Sequence, residues 1–237
     1  MIRFRPHLAP TLFTIPVLLI CVALGVWQLQ RLEWKRGLIA ERAAAVTALP
    51  ARPPQTLVEA RAMEFHPVVV DGVFLHDKEI FVGATDPRGR AGFHLLTPLR
   101  EPGGRIVFVN RGFIPSERKD PATRPASQLA GTVHISGLLR LPPAATPNWF
   151  LPDNRPDLNY WFWVDLPAMA AADGLANAAP FYIDADVAPN PGGWPKGGVT
   201  PIALPNDHLQ YAITWFSLAV ALVVIYLLYH RRGGDSA

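Results

Sequence analysis

The chain has 237 residues, half of them hydrophobic, with 22 Lys and Arg against 19 Asp and Glu. Its mean hydropathy of +0.16 is high for a soluble protein, and the near-neutral balance without a basic run gives no sign of nucleic-acid binding. The single cysteine, Cys21, excludes an intramolecular disulfide and any Cys-x-x-Cys site for metal or redox chemistry.

Two segments without a charged residue, 11–30 and 208–229, account for the hydropathy. A helix needs about 20 mainly apolar residues to cross the hydrocarbon core of a bilayer. Because the backbone must satisfy its own hydrogen bonds in lipid, we predict a transmembrane helix at each segment, with Pro16 as a site for a kink. The basic residues of 1–5 also suit a signal peptide. The apolar run is longer than a signal peptide needs, and no A-x-A cleavage site follows it, so an uncleaved anchor is favoured.

Charge predicts the orientation of the two helices. Residues 1–10 and 230–237 carry four arginines and one aspartate, whereas residues 31–207 carry 18 basic and 18 acidic residues. The charged residues of the two tails are Arg3, Arg5, Arg231, Arg232 and Asp235. By the positive-inside rule both tails are cytoplasmic and the middle is exported, although the three basic residues of 31–36 favour the opposite orientation.

The middle of the chain, residues 31–207, is predicted to be one β-rich exported domain. Residues 31–49 extend the first helix until Pro50 ends it. Short runs of branched and aromatic residues bounded by Gly, Pro, Asn and Asp predict strands. The runs are 67–75, 79–83, 93–99, 105–112, 132–139, 160–166 and 181–184. A short helix follows Asp165 as its N-cap. The fold class is therefore a membrane protein of the α+β kind, with two transmembrane helices flanking a small β-barrel or sandwich.

The second transmembrane segment begins N-D-H-L-Q-Y-A-I-T-W-F, residues 206–216. Seven residues make almost two helical turns, so Trp215 lies on the same face as His208, about 10 Å further along the axis, and Tyr211 shares that face. An aromatic belt at the membrane surface explains Tyr211 well and Trp215 poorly. The other interpretation is a ligand-binding face, with His208 offering an imidazole and Trp215 a flat wall.

The first transmembrane segment ends in a polar stripe at the same predicted depth. Gln28, Arg31 and Lys35 follow one another at helical spacing, which also suits simple snorkelling at a helix end. Gly25 leaves room for a second helix to approach closely. If the two helices pair, Gln28 and Arg31 come near His208.

Two features of the exported domain are interpreted as structural. The run F-V-N-R-G-F-I-P, residues 108–115, resembles a strand that ends in a turn at Arg111, whose role is expected to be pairing with an acidic neighbour. The aromatics of 159–165 are expected to pack in the core. No G-x-S-x-G, P-loop, H-E-x-x-H or G-x-G-x-x-G motif is present, so an enzyme is not expected.

Four motifs in order resemble the Surfeit locus protein 1 family. They are G-V-W-Q-L-Q-R-L-E-W-K at 25–35, V-N-R-G-F-I-P at 109–115, Y-W-F-W-V-D-L-P-A-M-A at 160–170 and N-D-H-L-Q-Y-A-I-T-W-F at 206–216. The resemblance is collinear and covers nearly the whole chain. The absence of a transit peptide before the first helix suits a bacterial member.

The resemblance implies an assembly factor for a haem–copper terminal oxidase, cytochrome c oxidase, that binds haem a and assists its insertion into the catalytic subunit. The implied partners are that subunit, the haem a synthesis machinery and the lipid bilayer of the inner membrane, with the main domain periplasmic. The implied cofactor site has His208 as the ligand of the haem iron and Trp215 beside it. Its other candidates are Tyr211, Gln28, Arg31 and Arg111. A haem-free scaffold for an oxidase subunit and a membrane-anchored enzyme remain as alternatives.

Overall fold

The computed structural model describes residues 6–232, apart from the side chain of Arg232. Arg3, Arg5 and Asp235, on which the predicted orientation partly depends, lie outside this range. In chain order the elements are α1 (Leu8–Val46), α2 (Leu57–Ala62), β1 (Pro67–Phe74), β2 (Ile80–Thr85), β3 (Ala91–Arg100), β4 (Ile106–Pro115), β5 (Thr132–Arg140), α3 (Leu166–Ala172), β6 (Ala178–Ala185) and α4 (His208–Arg232). The chain divides into a helical unit, residues 1–41 with 203–237, and a β unit, residues 42–202.

The helical unit consists of α1 and α4, and both are long and apolar enough to cross a membrane. The two predicted transmembrane helices are therefore confirmed as helices. The first one continues through Pro16 and beyond residue 30, and it ends at Val46, three residues before the predicted end at Leu49. Residues 8–10 and 230–232, assigned to the tails from the sequence, belong to the helices.

Small side chains bring α1 and α4 together. The buried face of α1 consists of Cys21, Gly25, Gln28 and Leu32, and α4 buries Ala212 and Ala219. A Cβ added at Gly25 would lie 2.7 Å from the Phe216 ring. This confirms the close approach predicted at Gly25, because small residues let membrane helices pack backbone to backbone.

The β unit is a barrel. Its described strands form one sheet in the order β1-β5-β6-β4-β3-β2, and a second pairing between β1 and β3 closes the ring. The closing pairs are Val73 with Arg100 and Phe74 with Leu99. Neighbouring strands are antiparallel except β4 and β6, which run parallel. Of the barrel and sandwich alternatives, the barrel is confirmed.

Buried side chains that alternate with more exposed ones along the strands fill the barrel interior. β1 shows the period of two expected of a strand with one buried face. The core packed around it consists of Ala60, Val68, Val70, Phe74, Leu99, Val107, Val109, Leu139, Ala179, Phe181 and Ile183. Six of the seven predicted strands are present in the structure. Residues 188–206, which lead to α4, contain no strand and no α-helix.

The predicted strand at 160–166 is wrong. Trp161 makes only an isolated bridge beside β2, through hydrogen bonds with Phe81 and Gly83. The next two backbone N–H groups, at 162 and 163, donate to the side-chain oxygen of Asn154 instead of to a neighbouring strand. The expected core role is confirmed for Trp161, which is fully buried.

Two short helices flank the barrel. α3 begins after Asp165, whose carboxylate accepts from Ala168 N at 3.1 Å, as predicted. α2 was not predicted, although Thr56 and Glu59 form the reciprocal capping box of the T-x-x-E pattern. That pattern was the signal in the sequence that could have revealed it.

β4 corrects the predicted turn at Arg111. The strand continues through Arg111 to Pro115, because Gly112 adopts φ +117° and its N–H donates to the Asn110 side chain at 3.1 Å. Phe113 then exchanges backbone hydrogen bonds with Lys196. A residue without a Cβ lets the strand absorb the irregularity instead of ending there.

Candidate functional site

His208, the first residue of α4, is hydrogen-bonded to Gln28, the first residue of the polar stripe on α1. His208 Nδ1 and Gln28 Oε1 are 2.7 Å apart. Gln28 is buried and His208 is half-buried. The sequence predicted that these residues would meet if the two helices pair, and this is confirmed.

The partner of Nδ1 determines what the other ring nitrogen of His208 can do. An amide oxygen only accepts hydrogen bonds, so Nδ1 carries the proton that it donates to Gln28 Oε1. In the neutral imidazole, Nε2 then bears the lone pair. Fixing one ring nitrogen through a hydrogen bond is how proteins orient a histidine that binds a metal through the other.

The aromatic residues of α4 differ in their environment. Tyr211 is exposed to the surroundings of the helix, whereas Trp215 is half-buried. Ala212, one turn after His208, is buried against the neighbouring helix. The predicted face of His208, Tyr211 and Trp215 therefore combines one exposed side chain with two half-buried ones.

Arg31 lies one turn beyond Gln28 on α1 and does not join the His208 hydrogen bond. Its guanidinium stacks on the Trp34 ring at 3.7 Å from the ring centroid. A cation held over an aromatic face keeps its hydrogen-bond donors available at the rim of the ring. Arg31 therefore supplies a positive charge close in sequence to the His208–Gln28 pair.

Arg111 is enclosed within the β unit. Its side chain is 2% exposed and its Nη1 lies 3.7 Å from the carboxylate of Glu79. Its Nη2 donates to the Ser127 carbonyl at 2.6 Å, and its Cζ lies 4.7 Å from the Phe74 ring centroid. Burial lowers the pKa of Arg111 to about 10, although the negative charge of Glu79 acts to raise it. The expected pairing of Arg111 with an acidic neighbour is confirmed.

Glu79 is the centre of that buried network, and sequence reasoning missed it. Both of its oxygens accept from Arg124, at 3.1 and 2.5 Å, and Gln128 donates to it at 3.1 Å. Burial raises the pKa of Glu79, but the hydrogen bonds and charge of Arg124, with help from Gln128 and Arg111, bring it below its ordinary value. The network fixes the segment 116–128 to the barrel, which identifies it as structural.

Gly112, the glycine of the R-G motif, is in close contact with a neighbouring segment. A Cβ at this position would lie 1.9 Å from the carbonyl oxygen of Lys196. Together with its positive φ, this contact leaves no space for a side chain. The Arg111–Gly112 motif therefore serves the packing of the β unit.

Among residues 6–232 no group of three or more His, Cys, Asp or Glu side chains is placed to hold a metal ion. His208 is a candidate single donor, since its ring is hydrogen-bonded to the buried Gln28 on the other helix. A haem needs one such axial ligand from a protein, because the porphyrin supplies the four equatorial nitrogens.

Two helices long and apolar enough to cross a membrane, hydrogen-bonded to each other at His208 and separated in sequence by a β-barrel, are consistent with a membrane protein. A family model described as the SURF1 family matches residues 15–220. The chain is 36% identical to a SURF1-like protein of Monosiga brevicollis, over 94% of this chain and 88% of that protein.

Vertebrate relatives agree with this match. Surfeit locus protein 1 of Homo sapiens is 36% identical over 89% of this chain and 74% of its own length. The protein of the same name from Mus musculus is 39% identical over 84% of this chain and 68% of its own length. The chain belongs to the SURF1 family, which confirms the resemblance drawn from the four motifs.

Proposed function

We propose that this protein is a non-enzymatic assembly factor for a haem–copper terminal oxidase, cytochrome c oxidase, and that it binds haem a through His208. The observation that carries the proposal is the 2.7 Å contact between His208 Nδ1 and Gln28 Oε1. It pairs Nδ1 of a histidine on the second helix with a buried glutamine on the first, which in the neutral imidazole leaves Nε2 as the nitrogen for a ligand.

The residues around His208 fit the chemistry of haem a. This haem has a long isoprenoid tail, which prefers lipid, and two propionates, which prefer water and cations. His208 would supply the nitrogen that binds the iron, and Trp215 would supply a flat apolar wall. Arg31 is the cation proposed for a propionate, since Arg111 is already surrounded by Glu79 and Ser127. When bound, the haem would be the cargo that the protein holds for the oxidase.

A single axial histidine suits reversible binding. A carrier must release its haem to the catalytic subunit, and one neutral imidazole holds iron less firmly than two strong ligands would. The proposed partners are accordingly the oxidase catalytic subunit, as the acceptor, and the haem a synthesis machinery, as the source.

The experiment is purification of the full chain from cells that synthesise haem a, followed by absorption spectroscopy and extraction of the haem for identification. A Soret band with stoichiometric haem a supports the proposal. Protein that is pure, folded and colourless, yet still retains an oxidase subunit, would instead support the haem-free scaffold.

The proposed location is the bacterial cytoplasmic membrane, with both termini cytoplasmic and the β unit periplasmic. The support is the charge distribution, with four arginines and one aspartate in the tails and a neutral middle. Alkaline phosphatase fused near residue 120 should be active, and the same enzyme fused at the C-terminus should be inactive. Activity of the C-terminal fusion and inactivity of the internal one would show that the topology is the inverse of the one proposed.

A further inference from the structure

An uncharged loop between β5 and α3 carries an exposed aromatic pair. The twelve residues from 141 to 152 include no charged side chain and four prolines. Trp149 is 84% exposed and Phe150 is 74% exposed. Their rings stack on each other at 3.6 Å between centroids. The two largest side chains of the loop are thus ordered against one another and not against the barrel.

The aromatic pair is unexplained by the fold. Neither Trp149 nor Phe150 belongs to any buried hydrophobic cluster of the described residues. The start of the same loop is also apolar, since Leu141 and Pro142 line a groove of about 530 Å³ beside Leu57. Exposed apolar side chains clustered in this way mark a contact with another apolar phase or molecule.

We propose that the Trp149–Phe150 tip inserts into the headgroup region of the membrane that α1 and α4 cross. Both ends of the β unit continue into these membrane helices, so the loop is permanently at high effective concentration near one bilayer surface. Tryptophan prefers the membrane–water interface to either water or hydrocarbon. This proposal does not depend on haem binding.

Two backbone N–H groups of the tip already have hydrogen-bond partners within the loop. The Phe150 N–H donates to the Asn148 side-chain oxygen at 3.1 Å, and the Leu151 N–H donates to the Asn148 carbonyl at 3.3 Å. Donors that are already satisfied remove much of the cost of leaving water. The prolines also limit the conformational freedom that the loop loses on insertion.

The charge pattern favours a bilayer over a protein partner. Charged residues resume only at Asp153, and the nearby Arg155 is paired with Asp157 at 2.9 Å. A transient protein interface is usually rimmed by polar and charged groups, with arginine enriched. The tip offers none within residues 141–152, so no charged side chain has to move towards the hydrocarbon when the tip inserts.

The test uses the full chain in phospholipid vesicles with Cys21 replaced by alanine, so that one introduced cysteine can carry an environment-sensitive fluorophore. The test position is Phe150→Cys, which keeps Trp149 in place. The matched control is Val187→Cys, on a different loop of the β unit and 81% exposed. Both side chains are exposed, so neither change should affect folding, which thermal unfolding checks.

The expected result is a blue-shifted label at 150 that is quenched by lipids bearing a nitroxide near the headgroup and protected from aqueous iodide. The label at 187 should show the opposite behaviour. Adding Trp149→Ser to the labelled protein should reduce the lipid quenching. If aqueous iodide quenches the label at 150 as strongly as it quenches the control label at 187, the proposal is overturned. A label shielded only after an oxidase subunit is added would also overturn it and would assign the tip to a protein partner.

Discussion

Gln28 and His208, 180 residues apart in sequence, meet in a 2.7 Å hydrogen bond between α1 and α4. The Nδ1–H of the histidine donates to a buried amide oxygen, and Nε2 of the neutral ring is left as the nitrogen for a ligand. Two helices that could have packed through apolar side chains alone are thus joined by polar contacts, here and between Thr11 and Tyr226 at 2.6 Å. The Gln28–His208 contact is at the start of α4, next to the aromatic residues of the proposed haem site.

Replacing Gln28 with leucine tests whether this contact orients the histidine. Leucine fills a similar volume but accepts no hydrogen bond, so the imidazole is free to rotate or to change tautomer. We expect haem affinity to fall about tenfold or more, as is typical when a partner of a metal-binding histidine is removed. Haem titration of the purified protein measures the change.

The control for Gln28→Leu is Gln30→Leu, which removes an exposed glutamine from the same helix. Its haem affinity should match that of the parent protein. Equal affinities for the Gln28 variant and the parent would show that Gln28 does not position His208.

Gly25→Ala tests the helix contact itself. The new Cβ would lie 2.7 Å from the Phe216 ring, so α1 and α4 must separate or Phe216 must move. We expect a lower unfolding temperature in detergent and weaker haem binding, because the Gln28–His208 contact depends on the same packing. Gly37→Ala on α1 has no atom within 4 Å of the new Cβ. It should be neutral or stabilising, and the idea fails if the two variants behave alike.

The sequence was sufficient for the parts of this helical pair that depend on local composition. Uncharged runs of the right length predict α1 and α4 whatever they contact. Gly25 and the polar stripe beginning at Gln28 also indicated where a partner helix would lie. The sequence could not identify which residue bonds to His208, because Gln28 and Arg31 were equivalent candidates until side-chain packing separated them.

In the β unit, by contrast, local sequence was not sufficient for several features of the fold. Alternating branched residues predicted six strands, but the aromatic run at 160–166 has the same pattern and is not a strand. The Asn154 side chain accepts from its backbone N–H groups, so the ladder is never formed. The Glu79–Arg124 pair joins residues 45 positions apart, and nothing in the local sequence distinguishes these two charges from exposed ones.

Glu79→Gln should destabilise the β unit. The substitution leaves Arg111 and Arg124 buried without a countercharge, which typically costs about 3–5 kcal/mol. Urea unfolding of the full chain in detergent at pH 7 measures it. Glu33→Gln removes the exposed partner of Arg36 on α1 and should change the free energy of unfolding little.

The same pair should make the parent protein sensitive to acid. The pKa of Glu79 in the folded state lies below its ordinary value. Its contribution to stability is therefore complete above the unfolded-state pKa of about 4.3 and is lost as the pH falls through the lower folded-state pKa. Stability of the parent should fall in that acidic range, and that of Glu79→Gln should fall less. Parallel pH profiles would contradict the central role of Glu79.

Gly112→Ala should be strongly destabilising, because the Cβ would collide with the Lys196 carbonyl at 1.9 Å in addition to requiring a positive φ. Gly104→Ala is the matched control, since Gly104 has φ +82° and open space around it. The control should cost about 1 kcal/mol from backbone strain alone, and the Gly112 variant clearly more. Similar thermal unfolding of both variants would show that the Lys196 contact contributes nothing.

The central claim is that His208 binds the haem iron, and the Soret absorbance per protein after co-production with haem a tests it most directly. His208→Ala removes the oriented nitrogen, so we predict that its Soret band is lost or greatly reduced while the protein stays folded. Trp215→Phe keeps a flat apolar surface and should lose much less. His134→Ala removes an exposed histidine paired with Asp71 in the β unit and should match the parent. A His208→Ala protein that carries as much haem as the parent would contradict the account and leave His208 as a residue of the membrane interface.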